Sequence, residues 1–116
     1  MNELQIRLMT FSVSISNHTD ELCKKNQMEP FVKQLNRAAS SVGANYSEAQ
    51  SASTRKDFHN KVRISLKEAR ETEFWLRFLL EKTKEEELEN LVEESVEIIK
   101  ILTTIARKTD PDETHQ

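Results

Sequence analysis

LENLVEESVEIIKILTTI, residues 88–105, carries Leu88, Leu91, Val92, Ser95, Ile98, Ile99, Leu102 and Ile105 at offsets of three, four and seven. A helix turning once per ~3.6 residues gathers all eight on one side, which the two-residue period of a strand does not. The spacing predicts an amphipathic helix over about 85–108, the cleanest stripe in the chain. Three more stripes lie upstream of it.

Phe58, Val62, Leu66, Ala69, Trp75, Leu76 and Leu79 predict a helix over about 55–82. Its start is signalled in SASTRKD, where Thr54 is placed to accept from the Asp57 amide and the Asp57 carboxylate to reach back. This is a variant of the usual capping box, which has Glu or Gln there. Phe31, Leu35, Ala38, Val42, Tyr46 and Ala49 predict a helix over about 30–51. Pro30 suits its first turn and holds Glu29 away from helical geometry. Ala38, Ala39, Ser40 and Ser41 let another helix approach, and Gly43, at a cost of ~1 kcal/mol against alanine, points to a close contact. The first helix, about 3–25, rests on Leu4, Leu8, Phe11, Ile15 and Leu22, widened by Met9 and Val13. Residues 1–109 are therefore expected to form the folded unit, with 110–116, interrupted by Pro111, as a disordered polar tail.

Composition agrees with helices joined by short connections. The 116 residues include one Gly, two Pro and seven aromatics, with 32% charged and 36% hydrophobic. A sheet protein needs more turn formers and more β-branched or aromatic residues. A chain of this length buries a core as one domain without disulfides or a structural metal. Short loops make consecutive helices antiparallel neighbours, so the expected fold is all-α, an antiparallel up-down-up-down four-helix bundle.

The familiar catalytic groupings are missing. A carboxylate-bridged metal centre in a bundle needs Glu-x-x-His pairs, and His18, His59 and His115 have no Glu three residues before them. Glu71 and Glu73, two apart, diverge on a helix. Cys23, the single cysteine, lies near Lys24 and Lys25 but has no evident base, so it reads as a structural thiol at a helix end. One glycine cannot build a phosphate-binding loop. The reading is a protein that is not an enzyme, with no cofactor and no metal. One cysteine is compatible with a reducing compartment, and there is neither a basic start with an apolar run nor a stretch of ~18 apolar residues. A soluble, cytoplasmic protein with no membrane partner is expected.

The net charge of −3 conceals an asymmetry. Residues 1–53 carry five basic and five acidic residues, 54–84 nine basic and five acidic, and 85–116 three basic and ten acidic. On the third predicted helix Lys56, His59, Arg63, Lys67, Arg70 and Arg77 share a face. One reading is a nucleic-acid stripe, in which long cations track phosphates with salt-dependent, weakly sequence-specific affinity. The other is structural: Glu86, Glu93 and Glu97 of the fourth helix, with Glu89 at their edge, pair with the cations across the helix boundary, each exposed pair contributing ~0–1 kcal/mol. The acidic net charge and the lack of an exposed aromatic for base stacking favour the structural reading. A polar row on the second helix, Gln34, Arg37, Ser41, Asn45 and Glu48, borders the apolar stripe. Asn45 falls almost within that stripe and must be hydrogen-bonded or cost ~1–3 kcal/mol. The row is a candidate network fixing helix register or subunit contact, with Glu71 and Glu73 as candidate partners of Arg37; a ligand site is the alternative.

Residues 34–81, about 40% of the chain, hold a specific combination of motifs. They are Q-L-x-R-A-x-S (Gln34, Leu35, Arg37, Ala38, Ser40), G-A-N-Y-x-x-A with Asn45 and Tyr46, an S-x-x-D-F-like entry (Ser53 or Thr54, then Asp57 and Phe58), and E-x-E-F-W-L from Glu71. The stretch resembles the bacterial four-helix-bundle family encoded in intervening sequences of the 23S ribosomal RNA gene. The resemblance implies a ring-like homopentamer with no known enzymatic activity. Relatives in that family include an accessory protein of diversity-generating retroelements that binds nucleic acid and a reverse transcriptase through a basic surface. The expectation is an oligomeric bundle that binds RNA, DNA or a reverse transcriptase-like protein through Lys56, Arg63, Lys67 and Arg70. Its rival is a protein-binding scaffold that uses exposed apolar residues such as Phe74 and Trp75 and has no nucleic-acid role.

Overall fold

Asn2 opens the first helix, α1 (Glu3–Asn26), in the computed structural model, which describes residues 1–112, less the side chains of Lys25 and Asn26. The Asn2 side chain accepts from the Gln5 amide and the Gln5 side chain accepts from the Asn2 amide, both at 2.8 Å. Two of the amides that a helix start leaves unpaired are thereby satisfied. The chain reverses at Gln27, which takes a left-handed conformation at φ 53°. Pro30 then lies in the first turn of α2 (Glu29–Ala49), and Glu29 is already helical, so the proline does not hold it out of the helix as expected and α2 begins one residue earlier than predicted.

α2 ends two residues before the predicted 51. The amides of Gln50, Ser51 and Ala52 bond to carbonyls three residues back, so the last turn tightens and the α-helix stops. Thr54 caps α3 (Arg55–Thr83), accepting from the Asp57 amide at 3.0 Å. Among the described residues Asp57 does not return the bond, its side chain being one methylene shorter than the Glu of a full box. α3 closes on Lys84, left-handed at φ 57°. α4 (Leu88–Thr109) begins three residues later than predicted, because Glu85 to Glu87 form the reversal and no side chain among the described residues caps the start. Residues 113–116 of the predicted tail lie outside the described residues.

The four helices form an antiparallel up-down-up-down bundle measuring 51 × 24 × 22 Å. Bonds at the helix ends show the alternation. Asn2 reaches Tyr46 and Gln50 at the end of α2, Lys61 near the start of α3 reaches Glu48, and Arg55 donates to the Lys108 and Thr109 carbonyls at the end of α4. Leu8 and Ile15 of α1, Leu35 and Val42 of α2, Val62, Leu76 and Leu79 of α3, and Leu88, Ile98 and Leu102 of α4 are fully buried. Each such side chain contributes about 1.5–3 kcal/mol through removal of apolar surface from water. α1 packs closely on α2 and more loosely on α4. There the Arg7 guanidinium grips both carboxylate oxygens of Glu94 at 2.8 and 2.7 Å, and this hydrogen bonding raises its pKa above the ordinary value.

Gly43 does not play the part its position suggests. A Cβ built there would stand 3.5 Å from Leu8 Cβ, an ordinary van der Waals distance, so the α1–α2 approach does not require glycine.

Candidate functional site

α3 presents two charged flanks. The flank toward α2 is bonded throughout. Ser65 is fully buried and its Oγ donates to the Val42 carbonyl at 2.6 Å. Lys61 reaches Glu48 at 3.2 Å, and Arg37 joins Glu68 at 3.2 Å and also Glu71. Partial burial works against the Arg37 charge, but Glu68 and Glu71 outweigh it and hold the guanidinium's pKa above its ordinary value.

This geometry separates the predicted polar row into independent pieces. Arg37 does meet Glu71, but Glu73 turns instead to Arg77 at 2.7 Å. Asn45 donates back to the Ser41 carbonyl of its own helix at 2.8 Å, which satisfies the amide without crossing to a neighbour. Ser41 contributes a carbonyl to that bond, Glu48 takes Lys61, and Gln34 is exposed. Glu68 was missed by sequence reasoning, although it sits three residues before Glu71 on the same face.

The outward face is different. Lys56, Arg63, Lys67 and Arg70 are exposed, and among the described residues none of them forms an ion pair. Arg63, Lys67 and Arg70 line an open groove of about 540 Å³ with Asn60, Ile64 and Leu66. The expected pairing with the acidic stripe of α4 does not occur. Among the described residues no ion pair joins α3 to α4; Glu97 takes Lys100 at 3.4 Å and Glu94 takes Arg7. The antiparallel register is the reason. It sets Glu89, Glu93 and Glu97 in a groove with Arg77 and Leu80, near the end of α3, while Glu86 lies in the preceding turn. The start of α3 instead meets the last turn of α4, with its Arg107 and Lys108. Cations lie opposite cations at one end, and acids cluster at the other.

Two members of the predicted stripe leave it. His59 is only 7% exposed, and its Nδ1 is 3.4 Å from Thr109 Oγ1 under the last turn of α4, so the ring is not available to a phosphate. Arg77 is exposed but already bonded to Glu73 one turn back.

Beyond Arg70 the same surface becomes aromatic. Phe74 is 58% exposed, so the expected lack of an exposed aromatic does not hold. Its four-residue step from Arg70 is the sequence signal that places it there. The ring meets Trp75 edge-on at 5.1 Å and Phe78 at 6.4 Å, and Phe78 packs on Phe31 of α2 at 4.8 Å. Trp75 is half-buried in this cluster. Phe74, Phe78, Arg77, Glu81 and Lys82 line an open groove of about 610 Å³.

A separate apolar strip runs along α1. Ile6, Met9 and Val13 are about half exposed, and beside them Gly43, Ala44, Ser40 and Ser47 of α2 floor a groove of about 290 Å³. His18, Glu21, Glu85 and Glu87 border a polar cleft between α1 and the start of α4. Among the described residues no three His, Cys, Asp or Glu side chains are grouped to hold a metal, and no helix is long and apolar enough to cross a membrane. Burial, then the charges of Glu29 and Asp20, push the Cys23 thiol pKa up, away from nucleophilic use.

The sequence model of the 23S rRNA-intervening sequence protein family matches residues 3–104. The chain belongs to that family. No curated protein matches it. Among solved structures it is similar to a protein of unknown function from the S23 ribosomal protein family of Bacteroides thetaiotaomicron, at 37% identity and a TM-score of 0.83. That match covers 89% of this chain and 97% of the other. Family membership accounts for the bundle; the relative's own function is unknown, so the chemistry rests on the residues of this chain.

Proposed function

We propose that this member of the 23S rRNA-intervening sequence protein family is a non-catalytic, cytoplasmic nucleic-acid-binding protein that works as an oligomer, a homopentamer as in the family resemblance. The observation that carries the reading is the groove of Arg63, Lys67 and Arg70, three exposed cations without an ion-pair partner among the described residues. Unpaired cations retain their charge for phosphates and gain from release of condensed counterions. Lys56 before the groove and Arg107 and Lys108 at the neighbouring end of α4 extend the positive surface. One such groove per chain is a modest site. Repeating it around a closed ring gains affinity through effective concentration, without new contacts. The half-exposed strip of Ile6, Met9 and Val13 supplies apolar surface for subunit association.

Binding to labelled RNA and DNA at low and moderate salt, compared with a Lys67→Glu, Arg70→Glu double variant, tests the proposal. The wild type is expected to bind with salt-sensitive affinity and the variant to bind far more weakly. Equal binding by both proteins would rule the groove out as the binding surface. A protein-binding scaffold is the second reading, favoured by the exposed ring of Phe74. Retained oligomerisation without any nucleic-acid binding would select it.

A further inference from the structure

The exposed surface of α3 changes character along its length, and the order of that change bears on the form of nucleic acid it suits. Arg63, Lys67 and Arg70 come first, and Phe74 follows one turn later. At 1.5 Å per residue Phe74 stands about 6 Å along the axis from Arg70 and about 16 Å from Arg63. A strand whose phosphates follow the cations therefore arrives at an aromatic ring.

That ring is held in place from behind. Trp75 meets it edge-on at 78°, Phe78 lies at 29° to it, and Phe31 anchors Phe78 from α2. A braced ring loses little freedom on binding, so stacking on it is not offset by an ordering cost. It is also more than half exposed, which is an unfavourable state for an apolar side chain with no occupant. The groove beside it, about 610 Å³, provides room for a planar ring. Of its charged borders Arg77 is held by Glu73 and Lys82 is balanced by Glu81, so the phosphate contacts fall to Arg63, Lys67 and Arg70.

A duplex cannot use this arrangement, because its base faces are stacked on one another and only sugar and phosphate would reach Phe74. Unpaired bases have open faces, and stacking on an aromatic side chain is the recurring way proteins hold them. We infer that the groove takes single-stranded nucleic acid, with Phe74 as the platform on which a base stacks. The inference rests on the proposed nucleic-acid reading and adds the form of the ligand to it.

The test measures binding of one 20-nucleotide sequence as single-stranded RNA, single-stranded DNA and duplex DNA by the wild type, Phe74→Ala, Phe74→Trp and an Arg63→Ala, Lys67→Ala, Arg70→Ala variant. Light scattering follows oligomer mass in parallel. The single strands are expected to bind more tightly than the duplex. Phe74→Ala should weaken single-strand binding by about 5- to 150-fold and leave duplex binding unchanged, while Phe74→Trp restores it. Comparing the RNA and DNA arms shows which sugar is preferred. Single-strand binding that depends on the cations but not on Phe74 overturns the inference and leaves the proposed function standing. An absence of binding to all three ligands overturns both. A changed oligomer mass in Phe74→Ala makes the ring a subunit contact and overturns the stacking role.

Discussion

The side of α3 toward α2 and its outward face both carry charged residues at helical spacing and put them to opposite use. Toward α2, Lys61, Glu68 and Glu71 each have a partner, and Ser65 is bonded to the backbone of the facing helix. On the outward face, Arg63, Lys67 and Arg70 have none among the described residues. Neither arrangement holds the bundle together, because an exposed pair contributes only ~0–1 kcal/mol. What differs is availability. A cation engaged across a helix boundary has lost much of its appeal to a phosphate, whereas one left facing water has not.

The largest expected effects should make no distinction between the flanks. Leu35→Ala on the α2 side and Leu102→Ala on the α4 side each remove a fully buried side chain and are expected to cost ~2–5 kcal/mol in urea unfolding. A much smaller loss for one of them would mean that the seams differ in their cores as well as their charges. Ser65→Ala, which removes the buried bond to the Val42 carbonyl, should cost ~1 kcal/mol by the same assay. Gly43→Ala should raise stability by ~0.5–1 kcal/mol in thermal unfolding, since a Cβ fits against Leu8 and alanine is the better helix former. The smallest effects draw the contrast most finely. Arg37→Ala is expected to lose up to ~1 kcal/mol, less in high salt, while Lys67→Ala and Arg70→Ala stay within ~0.5 kcal/mol of the wild type.

The same contrast explains what was legible in the sequence. The apolar stripes decided the fold because helical period alone assigns a residue to a face, and Leu88, Ile98 and Leu102 are buried as their spacing required. Period does not state which neighbour a flank meets or at what level. Glu93 and Glu97 were therefore expected to pair with the cations of α3, yet the register sets them beside Arg77, which Glu73 already holds, and brings Arg107 and Lys108 to the other end. His59 was misplaced for a related reason: its angular position sits between core and flank, and the last turn of α4 covers it. Arg37 with Glu71 was foreseeable from complementary charge, whereas the role of Glu68 required the relative depth of two carboxylates to be known. Phe74 was named in the sequence as a protein contact; only its exposure beside Arg70 brings it into the proposed nucleic-acid surface.

Lys61 and Lys67 offer the most direct test, being two lysines on one helix, one paired with Glu48 and one without an ion-pair partner among the described residues. The measurement is the slope of log binding constant against log salt for a single-stranded oligonucleotide, in the wild type, Lys61→Ala and Lys67→Ala. Lys61→Ala is expected to keep the wild-type slope, and Lys67→Ala to reduce its magnitude by about 0.7 for each phosphate that is no longer neutralised. Equal slopes in all three proteins, or a larger reduction in Lys61→Ala than in Lys67→Ala, would contradict the assignment of the outward face of α3 as the binding surface.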